Sequence, residues 1–368
     1  MRESGGSGRA SSLRFPDTGG AAPLTERLPM GPYSPVGTVK TAAEVNSLGV
    51  SLAPSLHEAC GDRLGTIEWF QSPWQRSGAA TGYSTWRLPD GSVIEAVVKA
   101  PVGYREWFWA TSLGEADPMR WNAEENRGLP VPRVLSSSLE LGGYDIAWLV
   151  LERVRGRAVS RRMDCESLVA MFEAAAQFEV MTTEVRTPAS VPRPAPPDWA
   201  GAIERAAKAV ADNAVADRER WLRAIAGVER RLDSILREGE ARKPDSWCHG
   251  DLHPGNVVSR RGPDGRLRCV LLDLALVRPG SWVEDAVYVE RLHWGREELL
   301  AGVDPVTALG EARTRLGLPT GPSDLLAADR RRLLLATTAP LTLAESHDEA
   351  FLAAALAKTE TLLASADV

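Results

Sequence analysis

The pattern of apolar residues changes part-way along this chain, and that change restricts the possible folds more than any other feature of the sequence. Strand-like stretches with turn residues between them dominate the first part, at residues 66–71, 82–88, 92–99 and 147–151. From residue 160 onward apolar residues recur at helical spacing, at 166–185, 203–238, 325–343 and 349–363. One β-type stretch, 256–274, interrupts this helical part. The sequence therefore predicts an α+β fold with a small β-rich lobe and a larger, mainly helical lobe.

Composition excludes several classes of protein. No apolar run among the 368 residues approaches the roughly 18 that a membrane-spanning helix needs, and the N-terminus lacks the apolar segment of a secretory signal. The four cysteines form no CxxC pair, which fits a reducing compartment. A net charge of −6 disfavours a general nucleic-acid binder. We therefore expect a cytoplasmic protein with neither a membrane nor a nucleic acid as its partner.

The acidic charge is concentrated toward the C-terminus. From Ser281 to the last residue the sequence has fourteen acidic and eight basic residues. This excess could attract a cationic substrate, although solvated helix faces are the simpler explanation.

One short stretch carries residues that suit catalysis. Residues 249–256 read HGDLHPGN, and their glycines and proline predict a loop that holds Asp251 and Asn256. A strand follows from residue 257, then a GPDG turn, then an apolar strand that ends just before Asp273. In an antiparallel hairpin the residue before the outgoing strand lies beside the residue after the returning strand. Asn256 and Asp273 should therefore meet at the open end of the hairpin, with Asp251 close by.

The chemistry of these three side chains points to a metal-bound phosphate. Carboxylate and amide oxygens are the donors that Mg²⁺ prefers. Asp251 need not be a ligand, because a carboxylate beside a metal-bound phosphate can instead orient an attacking hydroxyl and accept its proton. Burying an aspartate after an apolar strand, next to an asparagine, costs free energy unless something uses them.

The motif resembles the catalytic loop of the aminoglycoside phosphotransferase and choline-kinase-like enzymes. It keeps the Asp-to-Asn spacing of the protein kinases with Gly250 where they have arginine, and Asp273-Leu274-Ala275 is similar to their metal-binding Asp-Phe-Gly. The resemblance covers roughly residues 60–345. It implies a bilobal protein-kinase-like fold that uses ATP and Mg²⁺ to phosphorylate a hydroxyl of a small molecule. The acceptor could be aminoglycoside-like or another small compound, such as a choline-like cation or a macrolide.

The resemblance also implies roles in the C-terminal lobe. Asp251 would be the catalytic base, and Asn256 and Asp273 the magnesium ligands. His249 would support the loop from behind through a hydrogen bond. Asp285 would brace the helix that follows it.

The N-terminal lobe of such an enzyme binds ATP. Lys99 ends a predicted hairpin strand at the position of the phosphate-binding lysine. The small residues around Gly78, between the first two strands, would allow backbone amides to approach phosphate oxygens. Glu106 and Glu115 are both candidates for the acidic partner of Lys99, and we prefer Glu106.

The residues between the lobes would bind adenine through the backbone. In the stretch WLVLERV the carbonyl of Glu152 and the N–H of Val154 are the expected partners, whatever their side chains. The predicted division of the chain is a flexible tail at 1–40, the nucleotide-binding lobe at 41–151, a hinge at 152–156 and the helical lobe at 157–368.

Two other functions compete with the small-molecule kinase. GDLH also matches the first sequence block of metal-dependent phosphoesterases, but their later blocks are absent and the five histidines leave few nitrogen ligands for two metal ions. The chain could also be a nucleotide-binding regulator on a kinase fold. Retention of Lys99, Asp251, Asn256 and Asp273 argues against that hypothesis.

Overall fold

We describe the protein from a computed structural model, in which residues 42–70, 79–114, 129–192, 195–241, 244–262, 264–344 and 348–365 are described. The predicted tail at residues 1–40 lies outside these ranges, as do Gly78 and Glu115.

The N-terminal lobe is built on an antiparallel sheet. Its strands are β1 Glu68–Phe70, β2 Ala80–Arg87, β3 Val93–Ala100, β4 Val134–Ser138 and β5 Trp148–Glu152. They are arranged in the order β1-β2-β3-β5-β4. β2 and β3 pair along their whole lengths, from Ala80 opposite Ala100 to Arg87 opposite Val93. The predicted turn between them is present, and Gly91 in it has a φ of +86°.

Two helices cover this sheet. They are α1 Ala42–Cys60 and α2 Tyr104–Gly114. Because successive side chains of a strand point to opposite faces, Trp148 and Val150 pack in a small core with Leu56 of α1, while Leu149 between them belongs to the main core of the protein. Both faces of the sheet are therefore apolar. One face packs against α1, and the other contributes to the main core of the protein.

The C-terminal lobe is mainly helical. Its helices are α3 Cys165–Val185, α4 Trp199–Asp212, α5 Arg218–Glu229, α6 Leu232–Ala241, α7 Val283–Arg291, α8 Pro305–Arg315, α9 Pro322–Thr337 and α10 Glu349–Ala364. α3 begins at a conventional N-cap, where the Asp164 carboxylate accepts a hydrogen bond from Ser167 N at 2.9 Å. No helix in the described part of the chain has the length and apolarity to cross a membrane.

The prediction of one long helix at 203–238 was wrong. The chain leaves helical geometry after Asp212, and Asp217 has the left-handed φ of +58° before α5 begins. A second interruption separates α5 from α6. Each of the three helices buries its own apolar face, for example at Ile203, Trp221 and Ile235, so the helical periodicity of the sequence continues across the breaks.

Two small sheets are embedded among the helices. Their strands are β6 Arg157–Ala158, β7 Ser246–Cys248, β8 Val257–Arg261, β9 Leu267–Leu271 and β10 Arg278–Gly280. One sheet has the order β6-β8-β9 and the other pairs β10 with β7. β9 is covered by the long helix α3, and its last three residues, 269–271, are buried. The loop between β7 and β8 therefore connects strands that are packed into the main core, at Trp247 and Val257.

Candidate active site

The open end of the β8–β9 hairpin brings together the two residues that the sequence placed there. Val257 pairs with Leu271, and one residue further out Leu272 N donates to Asn256 O at 2.8 Å. Asp273 comes next and has a φ of +64°, a left-handed conformation that turns the chain away from the strand direction. Asn256 and Asp273 therefore lie at the same end of the hairpin.

The loop before β8 is fixed from behind by His249. This side chain is 1% exposed, and its Nε2 lies 3.0 Å from Leu272 O, where it acts as the donor. Nδ1 of the same ring is then an acceptor, and Asp251 N donates to it at 3.3 Å. The contacts are those of the loop support that we predicted for this residue.

Gly250 has no substitute at its position in the loop. Its φ of +82° lies in the left-handed region, and a Cβ there would be 2.2 Å from Leu276 O. Because the opposing atom is backbone, a side-chain rotation could not relieve the overlap.

Asp285 acts on the loop as well, which differs from its predicted role. Its carboxylate, in the first turn of α7, accepts hydrogen bonds from His249 N at 2.6 Å and Gly250 N at 2.9 Å. That it also braces the helix that follows it stays a prediction, which fits its place in the first turn of α7. The carboxylate reaches across from there to satisfy the backbone N–H groups of His249 and Gly250.

The Asp251 carboxylate is held by two donors, one at each oxygen. Asn256 Nδ2 donates to Oδ2 at 3.0 Å, and also to Asp251 O at 3.1 Å. The hydroxyl of Tyr288, from α7, donates to Oδ1 at 3.0 Å. His253 Nε2 lies 3.8 Å from Oδ2. Sequence analysis missed Tyr288 because nothing local to residue 288 shows that α7 packs against this loop.

Lys99 pairs with Glu106 in the N-terminal lobe. Lys99 is next to the last residue of β3, and Glu106 is in the first turn of α2, so a short connection brings the two side chains into contact. Of the two acidic partners considered, Glu106 forms the pair and Glu115 lies outside the described residues. Burial by itself would lower the pKa of Lys99, but the carboxylates of Glu106 and Asp273 outweigh burial and hold it above its ordinary value.

A second contact of Lys99 joins the two lobes. Its Nζ lies 3.8 Å from Oδ1 of Asp273, whose side chain is 46% exposed. The predicted phosphate-binding lysine and the predicted metal ligand therefore face each other across the cleft between the lobes.

The backbone at the predicted hinge alternates in direction. Glu152 N donates to Arg133 O at 2.9 Å, and Arg153 N donates to Glu95 O, also at 2.9 Å, on the opposite side. The adenine contacts expected of the Glu152 carbonyl and the Val154 N–H stay predictions.

The donors at the hairpin end suit a magnesium ion. The amide nitrogen of Asn256 points at Asp251, which leaves its oxygen for a cation, and Asp273 supplies a half-exposed carboxylate. Two protein oxygens are few, but Mg²⁺ completes its shell with water and phosphate. In the described ranges no group of three His, Cys, Asp or Glu side chains could hold a metal ion by itself.

Several solved structures are similar to this chain, and the first of them shows the fold. Spectinomycin phosphotransferase APH(9)-Ia, in complex with ADP and spectinomycin, aligns at 11% identity with a TM-score of 0.50, covering 85% of this chain and 93% of that one. An aminoglycoside phosphotransferase from Alicyclobacillus acidocaldarius aligns at 16% identity with a TM-score of 0.49, covering 83% and 92% of the two chains. A choline/ethanolamine kinase family protein from Mesorhizobium loti aligns at 10% identity with a TM-score of 0.48, covering 86% of this chain and 96% of that one.

Comparison with family models shows the family. A search of curated proteins found no match to this sequence. The model of the phosphotransferase enzyme family matches residues 84–318, which is more than half of the chain and includes Lys99, the loop around Asp251 and the end of the hairpin at Asp273. On this match, and on the two-lobed fold that carries these residues, the chain belongs to the phosphotransferase enzyme family and is a small-molecule phosphotransferase.

Proposed function

We propose that this protein is an ATP- and Mg²⁺-dependent kinase that transfers the γ-phosphoryl group to a hydroxyl of a small acceptor. The observation that carries the proposal is the arrangement at the cleft. Lys99 of one lobe lies 3.8 Å from Asp273 of the other, and Asn256 ties the same hairpin end to Asp251.

Each of these residues has one task in the proposal. Lys99, held by Glu106, binds phosphate oxygens of ATP as a fixed positive charge. Asn256 and Asp273 hold the magnesium ion, which when bound supplies positive charge to the phosphate oxygens. Asp251 orients the acceptor hydroxyl toward the phosphorus and accepts its proton as the new O–P bond forms.

The nucleotide lies between the hinge and the first strands of the sheet. The Glu152 carbonyl accepts a hydrogen bond from adenine and the Val154 N–H donates one. Gly78, which precedes β2 in the sequence, remains the predicted contact of the phosphates. We propose a hydroxylated cation as acceptor, because the sequence from Ser281 onward is acidic.

The test is magnesium-dependent consumption of ATP by the purified protein with a panel of hydroxylated compounds: spectinomycin, streptomycin, choline, ethanolamine and a macrolide. Asp251→Asn should lower kcat by about 100-fold or more, which is the lower range of what a general base contributes. ATP binding should stay within about twofold, because Asp251 is proposed to contact the acceptor and not the nucleotide.

Asp264→Asn is the matched control. Asp264 lies at the other end of the same hairpin, where its carboxylate accepts from Arg268 at 2.9 Å. The control should keep the wild-type kcat. Equal turnover by wild type and Asp251→Asn would refute the role of Asp251. Binding of ATP by a wild-type protein that never transfers phosphate would instead favour the regulator.

A further inference from the structure

Tyr288 occupies an unusual place beside the proposed base. It is a half-buried residue of α7, and its hydroxyl donates to Asp251 Oδ1 at 3.0 Å. Burial and the negative charge of Asp251 raise the pKa of this phenol above its ordinary value, so it is protonated at neutral pH and acts as the donor. Nothing in the catalytic-loop motif requires a tyrosine at this position.

The same helix, α7, contacts the loop that holds Asp251 at a second point. Residues three apart on a helix share a face, and Asp285, three before Tyr288, accepts hydrogen bonds from His249 N and Gly250 N. Asp285 therefore fixes the backbone of the loop, and Tyr288 fixes the side chain that the loop presents.

The geometry points to Tyr288 as a positioning residue of the phosphoryl-transfer site, whose hydroxyl fixes the Asp251 carboxylate in the orientation that receives the acceptor hydroxyl. The inference rests on the proposed function of Asp251. A carboxylate has about four lone-pair sites, and the two observed donors use one on each oxygen, so capacity for the acceptor hydroxyl is retained. With Asn256 alone, the carboxylate would be held at Oδ2 only and could turn about its Cβ–Cγ bond.

Tyr288→Phe removes the hydroxyl and keeps the ring. We expect kcat to fall about tenfold, because a base that samples several orientations is correctly placed for a fraction of the time. KM for ATP should stay within about twofold, since Tyr288 acts through Asp251 and the nucleotide does not contact it. The probe is hydrolysis of ATP with water as the acceptor, together with any acceptor that the panel identifies. Tyr144→Phe, at a side chain that is 71% exposed, is the matched control and should keep the wild-type kcat.

A second measurement does not depend on activity. With ¹³Cζ-labelled tyrosine the protein gives five resonances, and the one missing from Tyr288→Phe belongs to Tyr288. Removing its acceptor in Asp251→Ala should shift that resonance, whereas Asp264→Asn should leave it in place. No shift in Asp251→Ala would show that the hydroxyl does not bind Asp251, and would overturn the inference.

The kinetic outcomes separate this inference from the proposed function. An unchanged kcat in Tyr288→Phe, with Asp251→Asn inactive, overturns the positioning role alone. A fall in kcat that is matched by a rise in KM for ATP also overturns it, because the damage would then extend to the nucleotide site. A wild-type protein with no phosphoryl transfer to water or to any acceptor overturns both proposals.

Discussion

Replacing Lys99 by methionine should destabilise the protein as well as abolish its activity. The side chains of Lys99 and Glu106 are 15% and 9% exposed, so the substitution leaves a carboxylate in the interior with no counter-charge. Breaking a buried ion pair by removing one partner costs about 3–5 kcal/mol. The lost contact with Asp273 adds less than about 1 kcal/mol, because that side chain is 46% exposed.

Protonation of Glu106 sets an upper limit to this cost. A glutamate with an ordinary pKa of about 4.3 takes up a proton at pH 7 for about 3.7 kcal/mol, at about 1.36 kcal/mol per pH unit. At pH 5 the same step costs about 1 kcal/mol. We therefore expect Lys99→Met to lower the free energy of unfolding by about 3–4 kcal/mol at pH 7 and by about 1 kcal/mol at pH 5. The sign follows because burial raises the pKa of Glu106 in the folded protein even beside Lys99, and removing Lys99 raises it further, so the variant loses more stability as pH rises.

Urea unfolding without nucleotide at the two pH values measures this difference. Arg315→Met is the matched control, since Arg315 Nη2 lies 3.1 Å from Glu173 Oε1 in a pair whose side chains are 50% and 47% exposed, and its loss should cost under about 1 kcal/mol. Lys99→Met/Glu106→Gln should recover most of the lost stability but no activity, because no buried charge is left unpaired. A loss for Lys99→Met that is the same at pH 5 and pH 7, or a double variant less stable than Lys99→Met, would refute the reasoning.

Two further predictions concern the structure around the loop. Burial alone would raise the pKa of Glu284, but Arg278 at 2.8 Å outweighs burial and brings this pKa down to about 2. The free energy of unfolding of the wild type should therefore fall as pH drops from about 4.5 toward 2. Denaturation measurements on Glu284→Gln should show a flatter pH dependence in that window. Gly250→Ala should lower kcat by more than about tenfold, because its Cβ would overlap Leu276 O. Gly265→Ala, with a similar φ of +74° but open space around it, should cost about 1–2 kcal/mol of stability and leave kcat unchanged. Equal effects of the two substitutions on kcat would contradict the steric argument.

Local signals predicted the elements of the fold well where a turn or cap marks their ends. Proline and glycine delimit the β2–β3 hairpin, and the GPDG sequence delimits the β8–β9 hairpin. Periodicity alone was insufficient at 203–238, because three separate helices that each bury one face give the same apolar spacing as a single long one. The helix predicted at 325–343 ends earlier, at Thr337, and a short 3₁₀ segment that contains Pro340 follows it.

The sequence by itself determined the hairpin end at which Asn256 and Asp273 meet, because hairpin pairing relates residues close in sequence and the side-chain period of a strand leaves little freedom. It also placed Asp251 on the adjacent loop. Only the tertiary structure decided which carboxylate pairs with Lys99, and that α7 reaches the loop through Asp285 and Tyr288. These contacts join elements that are far apart along the chain, and their geometry is set by how helices and sheets pack in the core, which no local pattern of residues records.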